Sequence, residues 1–133
     1  MRWNDKKFKL LRSGTNKDLI EETLVFSPGF DNIIESKTVI KDLGILVDST
    51  LKYRDQINKV IKKTNQKASW ILRTFHTRKP LFLRKIWKSL VQCHMDYGSI
   101  LWSPVSNSKD IRDLEGPLRA YTRKGKVLYN VSY

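Results

Sequence analysis

The spacing of apolar residues changes near residue 50. Before it, short runs rich in Ile and Val alternate with turn-forming residues. Residues 8–12 form an apolar-basic run that reads as a strand, 14–22 read as a loop or helical turn, and 23–26 as a second strand. Pro28-Gly29 follows. Pro presets φ at the second position of a turn and Gly accepts positive φ at the third, which predicts a type II turn. Residues 32–36, containing Ile33 and Ile34, then form the returning strand. Residues 38–40 and 43–47 continue the β pattern, with Asp42-Leu43-Gly44 as the turn region between them. β-Branched residues suit such half-buried pleated surfaces.

After residue 50 the period becomes helical. Ile57, Val60, Ile61, Thr64, Ala68, Ile71, Leu72 and Phe75 recur at spacings of three and four, predicting a helix over about 53–75. A second helix is expected to start at Pro80, where a missing N–H costs nothing. It carries Leu83, Ile86, Trp87, Leu90 and Val91 towards Tyr97 and stops at Gly98. Residues 103–108 read as a loop. Asn107 or Ser108 caps a third helix containing Ile111, Leu114, Leu118 and Tyr121. Gly116-Pro117 predicts a kink or restart within it, because Pro removes one helical hydrogen bond and crowds the preceding turn. The fold class is therefore α+β: a small antiparallel β region, about residues 8–47, followed by about three amphipathic helices. It divides into regions 1–52 and 53–133.

Charge adds a partner to this picture. The 133 residues hold 26 Lys and Arg against 13 Asp and Glu, a net charge of +13. That balance favours a polyanion, nucleic acid before an anionic membrane surface. Lys59, Lys62, Lys63, Lys67 and Arg73 lie largely off the apolar stripe of the first helix, where they can line a phosphate backbone. No apolar run is long enough to span a membrane, and no membrane partner is expected. Cys93 is the single cysteine, so no intrachain disulfide forms, consistent with a cytoplasmic or nuclear compartment.

Catalytic chemistry finds little support. His76, Cys93 and His94 are too few and badly spaced for a structural zinc. Cys93 reads as a buried structural residue, since its neighbour His94 points about 100° away around a helix. The six glycines are scattered and form no phosphate loop. Asp110, Asp113 and Glu115 cluster at the start of the third helix, where they suit the positive end of its dipole. Asp42 and Asp48 read as turn residues, and no adjacent Asp pair occurs. Trp70, Trp87 and Trp102 read as core or lid residues. No metal or cofactor is expected.

Several segments in order resemble the C-terminal part of reverse transcriptases from jockey-like non-LTR retrotransposons. Residues 3–11, Trp-Asn-Asp-Lys-Lys-Phe-Lys-Leu-Leu, resemble the segment after the catalytic palm strands. Residues 39–48, Val-Ile-Lys-Asp-Leu-Gly-Ile-Leu-Val-Asp, followed by Leu51-Lys52-Tyr53, resemble the family's "KDLGV" segment. Leu72-Arg73-Thr74-Phe75, the run from Leu90 through His94 to Ser99, the Trp102-Ser103-Pro104 run, and the segments starting at Asp110 and Arg119 complete the match over almost the whole chain. Gly116-Pro117 and Gly125 depart from the family pattern.

The resemblance implies a palm edge, then a primer-grip hairpin at Lys41, Asp42, Leu43 and Gly44, then a helical thumb that clamps template-primer duplex. It implies that the catalytic Asp motif and the endonuclease would lie upstream of Met1, and that both ends are truncated. Lys7 matches a lysine that can assist pyrophosphate departure, but it has no metal-binding Asp pair to assist. The parent enzyme would use Mg, whereas this chain is expected to be no polymerase by itself. The expected function is that of a reverse-transcriptase fragment retaining at most non-specific RNA/DNA duplex binding through Lys41, Asp42, Leu43, Gly44, Lys59, Lys62, Lys63, Lys67 and Arg73. The alternatives are an autonomous, possibly domesticated, basic binding module or a non-functional transposon remnant.

Overall fold

The computed structural model describes residues 9–13, 25–27, 30–33, 36–77, 79–104 and 108–131. The fold is α+β, with small antiparallel hairpins followed by about four helices. The chain divides into two compact units, Met1–Asp55 and Gln56–Tyr133.

In the first unit, β1 (Val25–Ser27) pairs antiparallel with β2 (Phe30–Ile33), with an irregularity between Val25 and Ser27. The predicted Pro28-Gly29 turn lies outside the described residues, as does the loop expected over 14–22. The strand expected over 8–12 is reduced to a single parallel bridge from Leu10 to Ser36, in which the Lys37 N–H donates to the Leu10 carbonyl at 2.9 Å. A lone bridge is what remains when a short basic run has no second ladder partner.

β3 (Val39–Asp42) and β4 (Ile45–Asp48) form the better-defined hairpin, in register from Val39 opposite Asp48 to Asp42 opposite Ile45. Leu43 and Gly44 are its two loop residues, with φ of 44° and 88°. Two positive φ values define the tight turn whose twist matches that of the flanking strands. Leu43 therefore belongs to the turn and not to the strand.

In the second unit the helices enclose one apolar cluster: Ala68, Ile71, Leu72, Leu83, Trp87, Val91 and Tyr121. Helix α1 (Arg54–Thr74) supplies the first three from its predicted stripe, with Ile57, Val60 and Thr64 also buried. Burying each large aliphatic side chain contributes about 1.5–3 kcal/mol. Asp55 in the first turn and Arg73 in the last complement the helix dipole.

The predicted second helix is continuous but changes winding. α2 (Pro80–Ile86) passes into a π-helical segment, Trp87–Gln92, and then into α3 (Cys93–Asp96). The cause is visible in its inward residues. Leu83, Trp87, Val91 and Met95 are four apart and all pack on the core. In an ordinary α-helix steps of four drift by about 40° each. Wider π turns remove that drift and keep the four on one face. Gly98, with φ 63°, ends the stretch as expected, and a short α4 (Ser99–Trp102) follows. Trp102 is buried, and its indole N–H donates to the Tyr97 carbonyl at 2.9 Å.

α5 (Ser108–Val131) runs through Gly116-Pro117 without the predicted restart. Proline's fixed φ is itself helical, and Gly116 has no Cβ to strike the following ring. The inward face is Asp110, Pro117, Tyr121 and Gly125, with Leu114 half-buried. Ile111 and Leu118, expected to be core residues, are exposed.

One core atom is badly placed. Thr64 is fully buried, and its hydroxyl has no hydrogen-bond partner among the described residues. An unsatisfied buried hydroxyl costs about 1–3 kcal/mol. Thr64→Val keeps the shape and removes that cost. We expect it to raise the stability of the helical unit by about 1 kcal/mol, read as a higher urea midpoint by circular dichroism at unchanged m-value. A lower midpoint would show that the hydroxyl is satisfied.

Candidate nucleic-acid interface

α1 carries two parallel stripes. Ile57, Val60, Thr64, Ala68 and Ile71 face inward, at steps of three, four, four and three. Lys59, Lys62, Gln66, Trp70 and Arg73 repeat the same steps two residues later. Two residues turn a helix by about 200°, so this second stripe faces away from the core. Lys62, Gln66, Trp70 and Arg73 are exposed and Lys59 is partly buried. The stripe is fourteen rises long, about 21 Å, equivalent to roughly six base steps of duplex.

Lys63 and Lys67 lie on the flank of this stripe, both exposed. They are close enough to His94, at the end of the π-containing helix, to affect it electrostatically. Burial lowers the His94 imidazole pKa below its ordinary 6.5, and the charges of Lys63 and Lys67 lower it further. None of Lys62, Lys63, Lys67 and Arg73 pairs with a carboxylate among the described residues. The sequence explains this. Ten lysines and arginines, and no acid, lie between Asp55 and Asp96. Lys62, Lys63, Lys67 and Arg73 therefore present exposed positive charge along α1, of a kind that can neutralise backbone phosphates.

Trp70 was expected to be a core or lid residue. It is 49% exposed and meets Phe75 edge-on, with ring centroids 6.2 Å apart. Its place in the cationic stripe was the signal that it points outward. Trp87 and Trp102 are buried, as expected. Cys93 is exposed and not buried as expected, because Val91 takes the inward position at the end of the π segment.

The remaining predicted site residues sit at the β3–β4 hairpin. Lys41, Asp42, Leu43 and Gly44 are all exposed, and Leu43, at 83%, projects from the tip in a left-handed conformation that disfavours branched side chains. This hairpin and the α1 cations belong to different units. The base of the hairpin is fixed by Asp48. Its carboxylate accepts hydrogen bonds from the Thr50 hydroxyl and, at 2.8 Å, from the Tyr53 backbone N–H. These bonds hold the tight connection in which Leu51 and Tyr53 both have positive φ.

The acids at the start of α5 do not converge. Asp110 is buried, whereas Asp113 and Glu115 are exposed, Glu115 pairing with Arg119. Among the described residues, no three His, Cys, Asp or Glu side chains are placed to hold a metal ion. No described helix is long and apolar enough to cross a membrane.

Asp48 makes the hairpin pH-dependent. Burial pushes its pKa up, but hydrogen bonds from Thr50 and from the backbones of Tyr53, Asp48 and Lys52 outweigh this, leaving it below 3.8. A depressed folded-state pKa gives stability that is present above the unfolded value and lost as pH falls through the folded one. Asp48→Asn is expected to weaken amide-exchange protection of the hairpin by about 1 kcal/mol at neutral pH. The difference from wild type should vanish as the pH falls through the window below 3.8. A difference that persists unchanged there would rule out the charged carboxylate as its source.

Searches of protein-family models, curated proteins and solved structures found no match to the chain.

Proposed function

We propose that the chain is a non-specific nucleic-acid-binding module of reverse-transcriptase type, contacting template-primer duplex through α1. The observation that carries this reading is the outward Lys59–Arg73 stripe with Trp70 in it, within a segment that holds ten cations and no acid. Lysines and arginine neutralise phosphates and release counterions, and an exposed indole offers a stacking face. The Lys41–Gly44 hairpin is the second contact, as a primer grip would be. Its exposed, strained Leu43 supports that role, since strain is retained where a function uses it.

The chain by itself is not a polymerase in this reading. Nucleotidyl transfer needs carboxylates to clamp two metals, and the 133 residues contain no adjacent Asp pair. The alternative, a basic module serving independently of any polymerase, shares the same surface. The two differ in preference, because a primer grip and thumb favour a recessed 3′ end over blunt duplex.

Fluorescence anisotropy with labelled blunt and recessed RNA/DNA duplexes tests both. Dissociation constants of about 10⁻⁴ to 10⁻⁶ M at physiological salt are expected, with a log–log salt slope near −3 to −4 for four or so neutralised phosphates. Combined Lys59→Glu, Lys62→Glu and Lys63→Glu substitution should abolish binding while leaving the circular dichroism unchanged. Phosphates beside Lys63 and Lys67 should also raise the His94 titration midpoint in NMR. A flat salt response, or binding that survives the triple substitution, would refute the reading. Primer extension by the purified chain that depends on its own residues would refute the non-catalytic part.

A further inference from the structure

A second surface of the helical unit has a different chemistry. A half-open groove of about 480 Å³ runs between α5 on one side and α2 with the π segment on the other. Its apolar lining includes Leu83 and Leu118, the latter 43% exposed. Arg84, Lys88 and Lys126 stand around it; among the described residues no acid lines it and none of the three pairs with a carboxylate. Gly125 brings the backbone of α5 close at one end: a Cβ there would meet Leu83 Cδ1 at 3.0 Å.

We propose that this groove docks an acidic amphipathic helix from a partner protein. The charge arrangement specifies the occupant. Apolar residues on one face of the incoming helix would cover Leu118 and Leu83, and glutamates or aspartates flanking that face would meet Arg84, Lys88 and Lys126. Binding a helix in a groove between helices through such anchors is an established mode of recognition. The α5 wall from Leu118 to Lys126 is eight rises, about 12 Å, which matches two turns of an occupant.

Nucleic acid fits less well. A base would need an open aromatic face, but Trp87 and Tyr121 are only 6% and 3% exposed and pack on each other, with centroids 4.8 Å apart. The groove and the α1 stripe are thus separable: one is apolar with a cationic rim, and the other is a row of cations with a single exposed indole, Trp70.

The test uses the full 133-residue chain and a fluorescein-labelled peptide of about 14 residues, with leucines at i, i+3, i+4 and i+7 and glutamates flanking them. A peptide of the same composition in scrambled order and a version with lysine for glutamate are the controls. We expect saturable binding of the patterned acidic peptide alone. Leu118→Gln, which removes an exposed apolar contact without adding charge, and Lys88→Glu should each weaken it by about tenfold or more. Lys59→Glu with Lys62→Glu should leave it within about twofold, being on another face. Heteronuclear NMR should place the shift changes on 80–92 and 118–126. Equal binding of the scrambled peptide, no loss with Leu118→Gln, or displacement by single-stranded RNA that itself depends on Leu118 would each overturn the proposal. The outcomes that overturn the proposal do not involve the α1 lysines, so they are independent of whether α1 binds duplex.

Discussion

The helical unit depends on one contact, the seating of Tyr121 against Trp87 and the Leu83 carbonyl. The two rings pack at 4.8 Å, and the Tyr121 hydroxyl donates to Leu83 O at 3.1 Å across a separation of 38 residues. Leu83 O also accepts from the Trp87 N–H, which is shared with Arg84 O. That shared bond marks the point where α winding passes into π winding. The tyrosine therefore joins α5 to the second helical stretch and braces the irregular turn that keeps Leu83, Trp87, Val91 and Met95 on one side. Without it, the inward row of four-residue steps would lose its facing wall and the groove would lose its floor.

Legibility from the sequence followed the chemistry of each inward face. α1 was readable because its buried positions are mostly aliphatic and its outward ones mostly polar, at matched steps of three and four. The β3–β4 hairpin was readable because Ile and Val flank a Gly that accepts positive φ. In α5 Tyr121 and half-buried Leu114 were read correctly, but Ile111 and Leu118 were each taken one position late, because Asp110, Pro117 and Gly125 share the inward face with Tyr121. Hydrophobicity does not mark these residues, and two of them ordinarily signal a break. They work here because small or rigid residues let the helix lie close to α2, as Gly125 does under Leu83. The four-residue spacing of the second helix was in the sequence, but it indicates a π segment only once all four residues are known to face the same core. Trp70 was misassigned because large aromatics usually are core; its stripe, and not its type, placed it outside.

The charge distribution constrains the fold. Lys59, Lys62, Lys63 and Lys67 are neighbours at three and four residues along α1, and like charges at that spacing destabilise a helix by a few tenths of a kcal/mol per pair, about 0.2–0.5. No acid lies within 56–95. The burial of Ile57, Val60, Ala68, Ile71 and Leu72 holds the helix in spite of this repulsion, since a single large aliphatic side chain contributes about 1.5–3 kcal/mol. A solubilising surface would mix both signs and avoid the penalty. Where lysines stand together on one surface, a bound polyanion would gain its own attraction and reduce the repulsion among them. Ligand binding and helix stability are then linked: an anion that prefers the folded array of lysines over the unfolded chain stabilises α1 by mass action. The apolar stripe and the cationic stripe of α1 thus have coupled roles, the first holding in place the charges that the second presents.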